Sequence, residues 1–418
     1  MTKLLVVGAG PMRSAAFAVW RGMGLSVVLA DGYSAARYEH LADEFVPLDP
    51  RDGSADLKAV TELARQCDGI VTLSDDSQGT VAAVAEAVGL PGIGSPAATA
   101  ARSKSLQRAL CERAGMFVPR WRTVRGPGDL KEFFADGGRA AVLKPVDSAG
   151  SAGVLRVGTY EEALRQWPVV RSLSPSRTAV VEDFIEGREV CVEAVVSGGE
   201  PVFVSVTGKE VRGPLGFVVV SLSFAAEQPD RAAAERFIRR LVAAVGLSDG
   251  IVHAECKVEG ARWGLVEAGF RPGGDLIADL TARVTGVHTY RALAQIAVGD
   301  KPTTASTAAA AGAAAPSALS APFAQIRFLT GEGLVRQFVP PARVLEGLPD
   351  VRVVNQMFAA GQRVRHPLGN SGRAGYAAGW GTDPAALDEQ LRCALDRLGG
   401  EMGLAVHGAE AAGNHAAA

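Results

Sequence analysis

Aromatic residues make up only 6% of this 418-residue chain, and cysteine is scarcer still, with five residues: Cys67, Cys111, Cys191, Cys256 and Cys393. Their number is odd and no two are spaced Cys-x-x-Cys, which excludes a disulfide scaffold and argues against a structural zinc site. Each is expected to be a buried structural thiol, and the scatter fits a reducing cytoplasm. Positive charge is not in excess either. Lys and Arg total 43 against 45 for Asp and Glu, a formal charge of -2, so the chain is a poor candidate for sequence-independent nucleic-acid binding, though a local basic pocket stays open to it. No apolar run approaches the roughly 18 residues of a membrane span. The N-terminus, Met1-Thr2-Lys3 and then a short apolar run, lacks a small-residue cleavage site and reads as a first strand.

What is present is ample apolar material, 48% of residues, over a length that fits two or three domains at roughly 150 residues each. Short apolar strands (3–8, 25–30, 69–73) alternate with helical patterns (about 12–22 and 81–88), the mark of an open α/β layer with a mostly parallel sheet ending near residue 100. A helix is expected over 98–114, closed by Gly115 and Pro119. The middle region reads as α+β, with alternating antiparallel strands at 140–144, 155–157, 179–184, 189–197, 201–209, 251–258 and 263–268. Its helices are expected at about 230–245 and 276–298. Residues 303–322 are Ala-rich, uncharged and broken by Gly and Pro, so they read as a flexible loop or linker. Residues 323–404 resume strands and end in a helix from about 384 to 398, and 405–418 read as a disordered tail.

Gly8-Ala9-Gly10-Pro11-Met12-Arg13-Ser14, with Asp31 about 20 residues on, has the outline of a dinucleotide fingerprint. Ser14 replaces the third glycine and Pro11 intrudes, so a structural strand-to-helix turn is the preferred reading and a nicotinamide-dependent oxidoreductase a competing one.

Four segments of the middle region carry chemistry. Ala141-Val142-Leu143-Lys144-Pro145 places a lysine at the end of an apolar strand, costly unless it meets an anion. The small residues that follow, Asp147 to Val154 with Gly150, Ser151 and Gly153, can turn backbone N–H groups toward phosphate oxygens. Val180 to Glu189 runs an apolar strand into acidic residues, Glu182 before a glycine turn and Glu189 after it, where a strand end can offer its backbone to a purine and Glu189 can accept from ribose hydroxyls. Ile251–Val258 and Trp263–Ala268 form a hairpin pattern. If its turn centres on Ala261, Glu255 and Glu267 are equidistant from it and stand opposite one another, Cβ atoms about 5 Å apart. Facing carboxylates repel unless a cation sits between them, and carboxylate plus phosphate oxygens suit Mg²⁺. A turn centred elsewhere would break the pair. Arg271-Pro272-Gly273-Gly274 follows, with an arginine placed to hold a carboxylate or an oxyanion.

This succession, with Lys104 and Ala114-Gly115-Met116-Phe117-Val118-Pro119 ahead of it, resembles the ATP-grasp superfamily, and within it the carboxylate–amine ligase branch that includes bacilysin-type L-amino acid ligases. The resemblance implies a Rossmann-like pre-ATP-grasp domain over 1–100, the ATP-grasp nucleotide-binding and catalytic domain over 101–302, and a small C-terminal lobe over 323–404. It implies ATP and Mg²⁺, with Mn²⁺ as a substitute metal. Lys104 and Lys144 would contact ATP phosphates beneath a loop of Gly150, Ser151 and Gly153, with Lys144 also catalytic. Glu182 and Ile185 would meet adenine through backbone atoms, and Glu189 the ribose. Glu255 and Glu267 would bind the metal, Arg271 would face the reacting carboxylate, and His253 and His288 would lie near the substrate. Partners would be a small carboxylic acid and an amine, amino acids foremost, with no nucleic acid or membrane, in a homodimer.

Many members carry Asn two residues past the second metal-binding Glu, and here that position is Gly269. The implied reaction is amide formation through an acyl phosphate, releasing ADP and phosphate. Bicarbonate-dependent carboxylation and a non-catalytic nucleotide-binding module are the other readings. Glu267→Ala or Lys144→Ala is expected to lose turnover in a protein that stays folded.

Overall fold

The computed structural model describes residues 1–32, 38–53, 55–212, 217–228, 230–304, 321–365 and 369–406. The Ala-rich segment expected over 303–322 and the tail expected over 405–418 lie outside the described residues, apart from 303–304, 321–322 and 405–406. Two compact units emerge, each assembled from several stretches of chain. One comprises Met1–Pro119, Ile185–Thr207 and Glu227–Ser320, the other Arg120–Phe184, Gly208–Ala226 and Ala321–Ala418.

The first unit opens with a parallel sheet in the order Glu44–Val46, Ser26–Ala30, Lys3–Val7, Gly69–Val71. Its strands are apolar on both faces because both are covered. Leu4 and Val6 pack with Phe17 and Trp20 of the helix Ser14–Gly22, while Leu5 and Val7 pack with Val60, Val81 and Val84 of the helices Leu57–Ala64 and Gln78–Val88. The helix expected over 276–298 is two, Ile277–Thr285 and Thr289–Ala297. Gly286, at φ +75°, ends the first. The second returns to the parallel sheet, where the backbone carbonyl of Tyr290 accepts from Trp20 Nε1 at 2.9 Å.

The helix expected over 98–114 is likewise two, Ser95–Ala101 and Lys104–Arg113. Ser103 breaks it because its hydroxyl caps the second helix, accepting from Leu106 N at 3.2 Å. This change puts Lys104 in a first helical turn. The unit's antiparallel strands, Arg188–Ser197, Gly250–Glu259 and Arg262–Gly269, lay Val190, Val192, Ala194, Val252, Ala254 and Cys256 against Phe237, Ile238 and Leu241 of the helix Arg231–Val245.

In the second unit an antiparallel sheet runs in the order Trp121–Val124, Ala179–Asp183, Ala141–Pro145, Leu155–Val157. Its core of Val124, Leu143, Val181 and Leu155 is closed by Leu130 and Phe133 of one helix and Ala163, Trp167 and Val170 of another. Further antiparallel strands, Val218–Ala225, Phe323–Leu329, Gly375–Gly381 and Val351–Gln356, pair in that order. The helix Pro384–Met402 packs Leu387, Leu391, Leu398 and Met402 into their core. Ala405 and Val406, expected to begin a disordered tail, instead pair with Glu332 and Gly331. The mixture of a parallel α/β layer with antiparallel α+β regions is the one expected. Among the described residues no helix is long and apolar enough to cross a membrane.

Candidate active site

Strand alternation builds the site. On Arg188–Ser197 the residues that alternate with Val190, Val192 and Ala194 are Glu189, Cys191 and Glu193. On Gly250–Glu259 the residues between the core positions are His253, Glu255 and Lys257. The register pairs Lys257 with Glu189, Glu255 with Cys191 and His253 with Glu193, so the face opposite the core is a ladder of polar pairs. Lys257 Nζ lies 3.4 Å from Glu189 Oε2, so the residue expected at a ribose has a lysine beside it.

Glu255 and Glu267 do stand opposite one another. The turn, however, is the two-residue Gly260-Ala261, with Glu259 pairing Arg262, and regular continuation would set Glu255 against Val266. A bulge between Glu255 and Cys256 leaves Val266 unpaired and restores the facing carboxylates. The bulge also reverses parity. Trp263 and Leu265 point into the core, and without the extra residue Glu267 would follow them; instead Ala268 takes the core and Glu267 joins the polar face. Side chains from the helix Lys104–Arg113 complete this edge strand. Gln107 exchanges two bonds with the Ala268 backbone, at 2.7 and 2.9 Å, and Arg108 Nη2 donates to the Val266 carbonyl at 3.0 Å.

Lys104, expected at ATP phosphates, donates from Nζ to Glu267 Oε1 at 2.8 Å. A cation in the first turn of a helix meets an unfavourable dipole, which that carboxylate offsets. Arg271 is likewise paired. Its Nε donates to Asp75 Oδ1 at 2.8 Å, its Nη2 to Asp75 Oδ2, and its Nη1 to the Pro272 carbonyl at 2.7 Å. Burial alone would raise the Asp75 carboxyl, but the Arg271 charge and hydrogen bonds outweigh it and hold it below its ordinary value. Gly269 follows from this pair, since a Cβ there would stand 3.1 Å from Asp75 Oδ1. The asparagine of other members would crowd the Asp75–Arg271 contact.

Glu193 is fully buried. Its Oε1 meets His253 Nδ1, and its Oε2 accepts from Gly273 N at 3.0 Å. Gly273 is glycine because of this approach, as a Cβ would lie 2.7 Å from Glu193 Oε1 and 2.8 Å from His253 Nδ1. Arg13 Nη1 donates to the Gly273 carbonyl and, at 3.3 Å, to Tyr290 Oη. The glycine turn over 8–14 thus ends in a buried arginine that holds the Arg271–Gly274 segment. Asp31 of the same motif accepts from Ala9 N at 2.9 Å, a structural use of the acid.

His288 packs its ring on Tyr290, centroids 5.3 Å apart, and burial lowers it to about 4, with Arg291 pushing the same way. Burial raises Asp279 to about 6 against the opposing charge of Arg13. The two shifts act in opposite directions on stability. Between about pH 4 and 6 the folded chain keeps Asp279's proton, while the unfolded chain takes up His288's instead. As pH falls through this window the raised Asp279 adds stability and the depressed His288 loses it, so the slopes cancel. Asp279→Asn removes the gain only. Its stability should fall relative to wild type by about 1.4 kcal/mol per pH unit from pH 6 toward 4, and His288→Gln should rise by as much. Urea midpoints at the two pH values check this, and parallel behaviour of all three proteins would contradict it.

In the second unit, Lys144 Nζ donates to Glu182 Oε1 at 2.6 Å, with both side chains at most 5% exposed. Gly150, Ser151 and Gly153 all have left-handed backbones, φ +66°, +60° and +71°, and the loop closes on itself, with Ala152 N donating to the Ala149 carbonyl at 3.3 Å. Asn370 N donates to the Gly150 carbonyl at 3.0 Å, and Asn370 Oδ1 accepts from Val219 N at 3.0 Å. Ile185, in the first unit, is buried beside Gly264. The sequence reading missed Arg13, Asp75 and Glu193. Glu193 had a signal in its period-two alternation with Val192 and Ala194, and Asp75 one in its place beyond a parallel strand's carboxyl end.

A bulged hairpin with facing carboxylates, and a separate antiparallel sheet carrying a buried lysine and a small-residue loop, define a class of nucleotide-grasping fold. The chain belongs to the ATP-grasp family: residues 138–279 match the ATP-grasp domain and residues 20–92 the ATP-grasp N-terminal domain. It is 33% identical over 119 residues to the D-alanine–D-alanine ligase of Magnetococcus marinus, covering 27% of this chain and 38% of that protein. It is 26% identical over 156 residues to the dapdiamide A synthase of Enterobacter agglomerans, covering 35% and 36%. The matched regions thus span less than half the length of these curated relatives. Among solved structures the chain is similar to an L-amino acid ligase from Bacillus licheniformis, at TM-score 0.76 and 21% identity over 97% of this chain and 98% of that one, a likeness of fold.

Proposed function

We propose that the protein is an ATP-dependent carboxylate–amine ligase that joins a small carboxylic acid, foremost an amino acid, to an amine and releases ADP and phosphate. The observation that carries this reading is the Glu255–Glu267 pair, brought together by a bulge on a polar sheet face beside Lys104 and Arg271. Two facing carboxylates repel, and two hard oxygen donors at one place fit Mg²⁺ or Mn²⁺. Glu255 and Glu267 would hold the ion, which supplies charge neutralisation for the transferred phosphoryl group. The relatives' names, two ligases and a synthase, support the reaction class.

In this reading a substrate carboxylate oxygen attacks the γ-phosphorus of ATP and ADP leaves. The amine then attacks the acyl carbon, phosphate leaves, and the amine gives up a proton. Lys104 orients Glu267 through its hydrogen bond. Arg271, fixed by Asp75, binds the carboxylate and then the oxyanion. Lys144 and the loop of Gly150, Ser151 and Gly153 serve the phosphates, Glu182, Ile185 and Glu189 the nucleoside, and His253 and His288 border the substrate. A reducing cytoplasm and a homodimer remain part of the proposal.

The test is phosphate release from purified protein with Mg-ATP against amino acids singly and in pairs, with mass spectrometry of each active well. Release that needs an acid and an amine together, giving a product of their summed mass less water, is expected. ADP formation that depends on bicarbonate in place of a carboxylic acid would replace this reading with carboxylation.

A further inference from the structure

The polar ladder carries a thiol that the proposed reaction does not use. Cys191, expected to be a structural core thiol, is buried but lies on the ladder side of its strand, directly across from Glu255. Its Sγ, a ring nitrogen of His253 and a carboxylate oxygen of Glu255 all lie within 4.8 Å of one another, and His253 Nε2 is 3.9 Å from Glu255 Oε1. The other ring nitrogen, Nδ1, is engaged by Glu193, whose second oxygen is fixed by Gly273 N–H. A carboxylate on one imidazole nitrogen sets the ring's orientation and makes the far nitrogen a better ligand, the supporting arrangement found behind metal-binding histidines.

We propose that Cys191, His253 and Glu255 form a binding site for a thiophilic divalent cation, with Zn²⁺ as the reference ion, and that this ion takes Glu255 away from Mg²⁺. One sulfur, one imidazole nitrogen and one carboxylate oxygen are the donors of a three-ligand zinc site with an open fourth position, whereas Mg²⁺ takes oxygen donors alone. Zinc–ligand bonds put tetrahedral donors about 3.5 Å apart, so side-chain adjustments of about 1 Å close the site. Three ligands on two paired strands cannot move far, which favours a defined geometry. The competition rests on the reading of Glu255 as a magnesium ligand, while the binding site itself does not. A trace metal would then brake the enzyme in a manner that Mg²⁺ relieves.

The full chain, reduced with a phosphine and freed of metal, is titrated with Co²⁺ as the spectroscopic stand-in for Zn²⁺. One equivalent is expected to bind with a thiolate-to-cobalt charge-transfer band in the near ultraviolet, and Zn²⁺ is expected to displace it. Cys191→Ser should lose the band and Cys393→Ser keep it. His253→Gln should weaken Co²⁺ binding by more than the roughly 100-fold that losing a ligand's supporting partner can cost, a second route should the cysteine variant not fold. No band in the wild type, or a band that survives Cys191→Ser, overturns the site. Zn²⁺ inhibition of turnover should be relieved by Mg²⁺ and be absent in Cys191→Ser. Cobalt binding that Mg²⁺ does not shift overturns the shared carboxylate and leaves the thiolate site standing. A wild type that binds cobalt but turns over no substrate pair counts against the ligase reading alone.

Discussion

Lys144→Ala is expected to destabilise the second unit by about 3–5 kcal/mol, the cost of leaving a buried carboxylate without its counter-charge. Lys144 and Glu182 are 3% and 5% exposed and 2.6 Å apart. The cross-strand register pairs Val142 with Glu182 and Lys144 with Val180, so the two charged groups meet on a diagonal between neighbouring strands. The sequence alone suggested a variant that stays folded and loses turnover. The buried pair adds a stability cost to that expectation, because the ammonium offsets the burial of Glu182 whatever it does for ATP. Replacing both residues, as in Lys144→Met with Glu182→Leu, should recover most of the loss, since an apolar pair of similar volume carries no desolvation cost. Urea denaturation of the two single variants and the double variant gives the coupling directly. Wild-type stability in Lys144→Ala would mean that the pair is not the buried ion pair described.

Glu267→Gln is expected to reduce turnover with Mg-ATP by about 100- to 1,000-fold, the several kcal/mol that metal-assisted charge neutralisation contributes. The amide keeps an oxygen to accept from Lys104, so the bond seen at 2.8 Å can persist, and removing one of two facing carboxylates relieves their repulsion. The fold should therefore be retained, and the loss should appear as a higher Mg²⁺ requirement together with lower turnover. Glu267→Ala is the poorer probe, because it strips a lysine that is only 5% exposed of its carboxylate partner. Full activity in Glu267→Gln at low Mg²⁺ would remove this residue from the metal site.

These two variants also separate the roles of the charged residues. Lys144 and Glu182 differ from surface pairs such as Arg65 and Glu62, which are more than half exposed and contribute little. Glu255 and Glu267 are like charges that face one another on a sheet, and the Lys104 ammonium on Glu267 offsets part of their repulsion. Cys191 lies between, a soft ligand placed against one of those carboxylates, and its proposed metal would tie the enzyme's activity to trace ions.

Sequence alone determined the layers and which charged residues stood out. Apolar strands alternating with helices set the parallel sheet, and period-two alternation set the polar face, because a pleated strand sends successive side chains to opposite sides. Lys144 was legible as a charge at the end of an apolar run, where burial without a partner is costly, Glu255 and Glu267 as a facing pair in a hairpin, and Arg271 as an arginine before Pro-Gly-Gly. What they touch was not legible. Arg271 meets Asp75 across 196 residues and Arg13 meets Gly273 across 260, separations at which spacing carries no signal. The facing glutamates were inferred from a turn centred on Ala261, whereas they arise from a Gly260-Ala261 turn corrected by a bulge at Val266. Only tertiary structure could decide that, because Gln107 and Arg108, brought in from a distant helix, bond the bulged edge strand that carries Glu267 to the polar face.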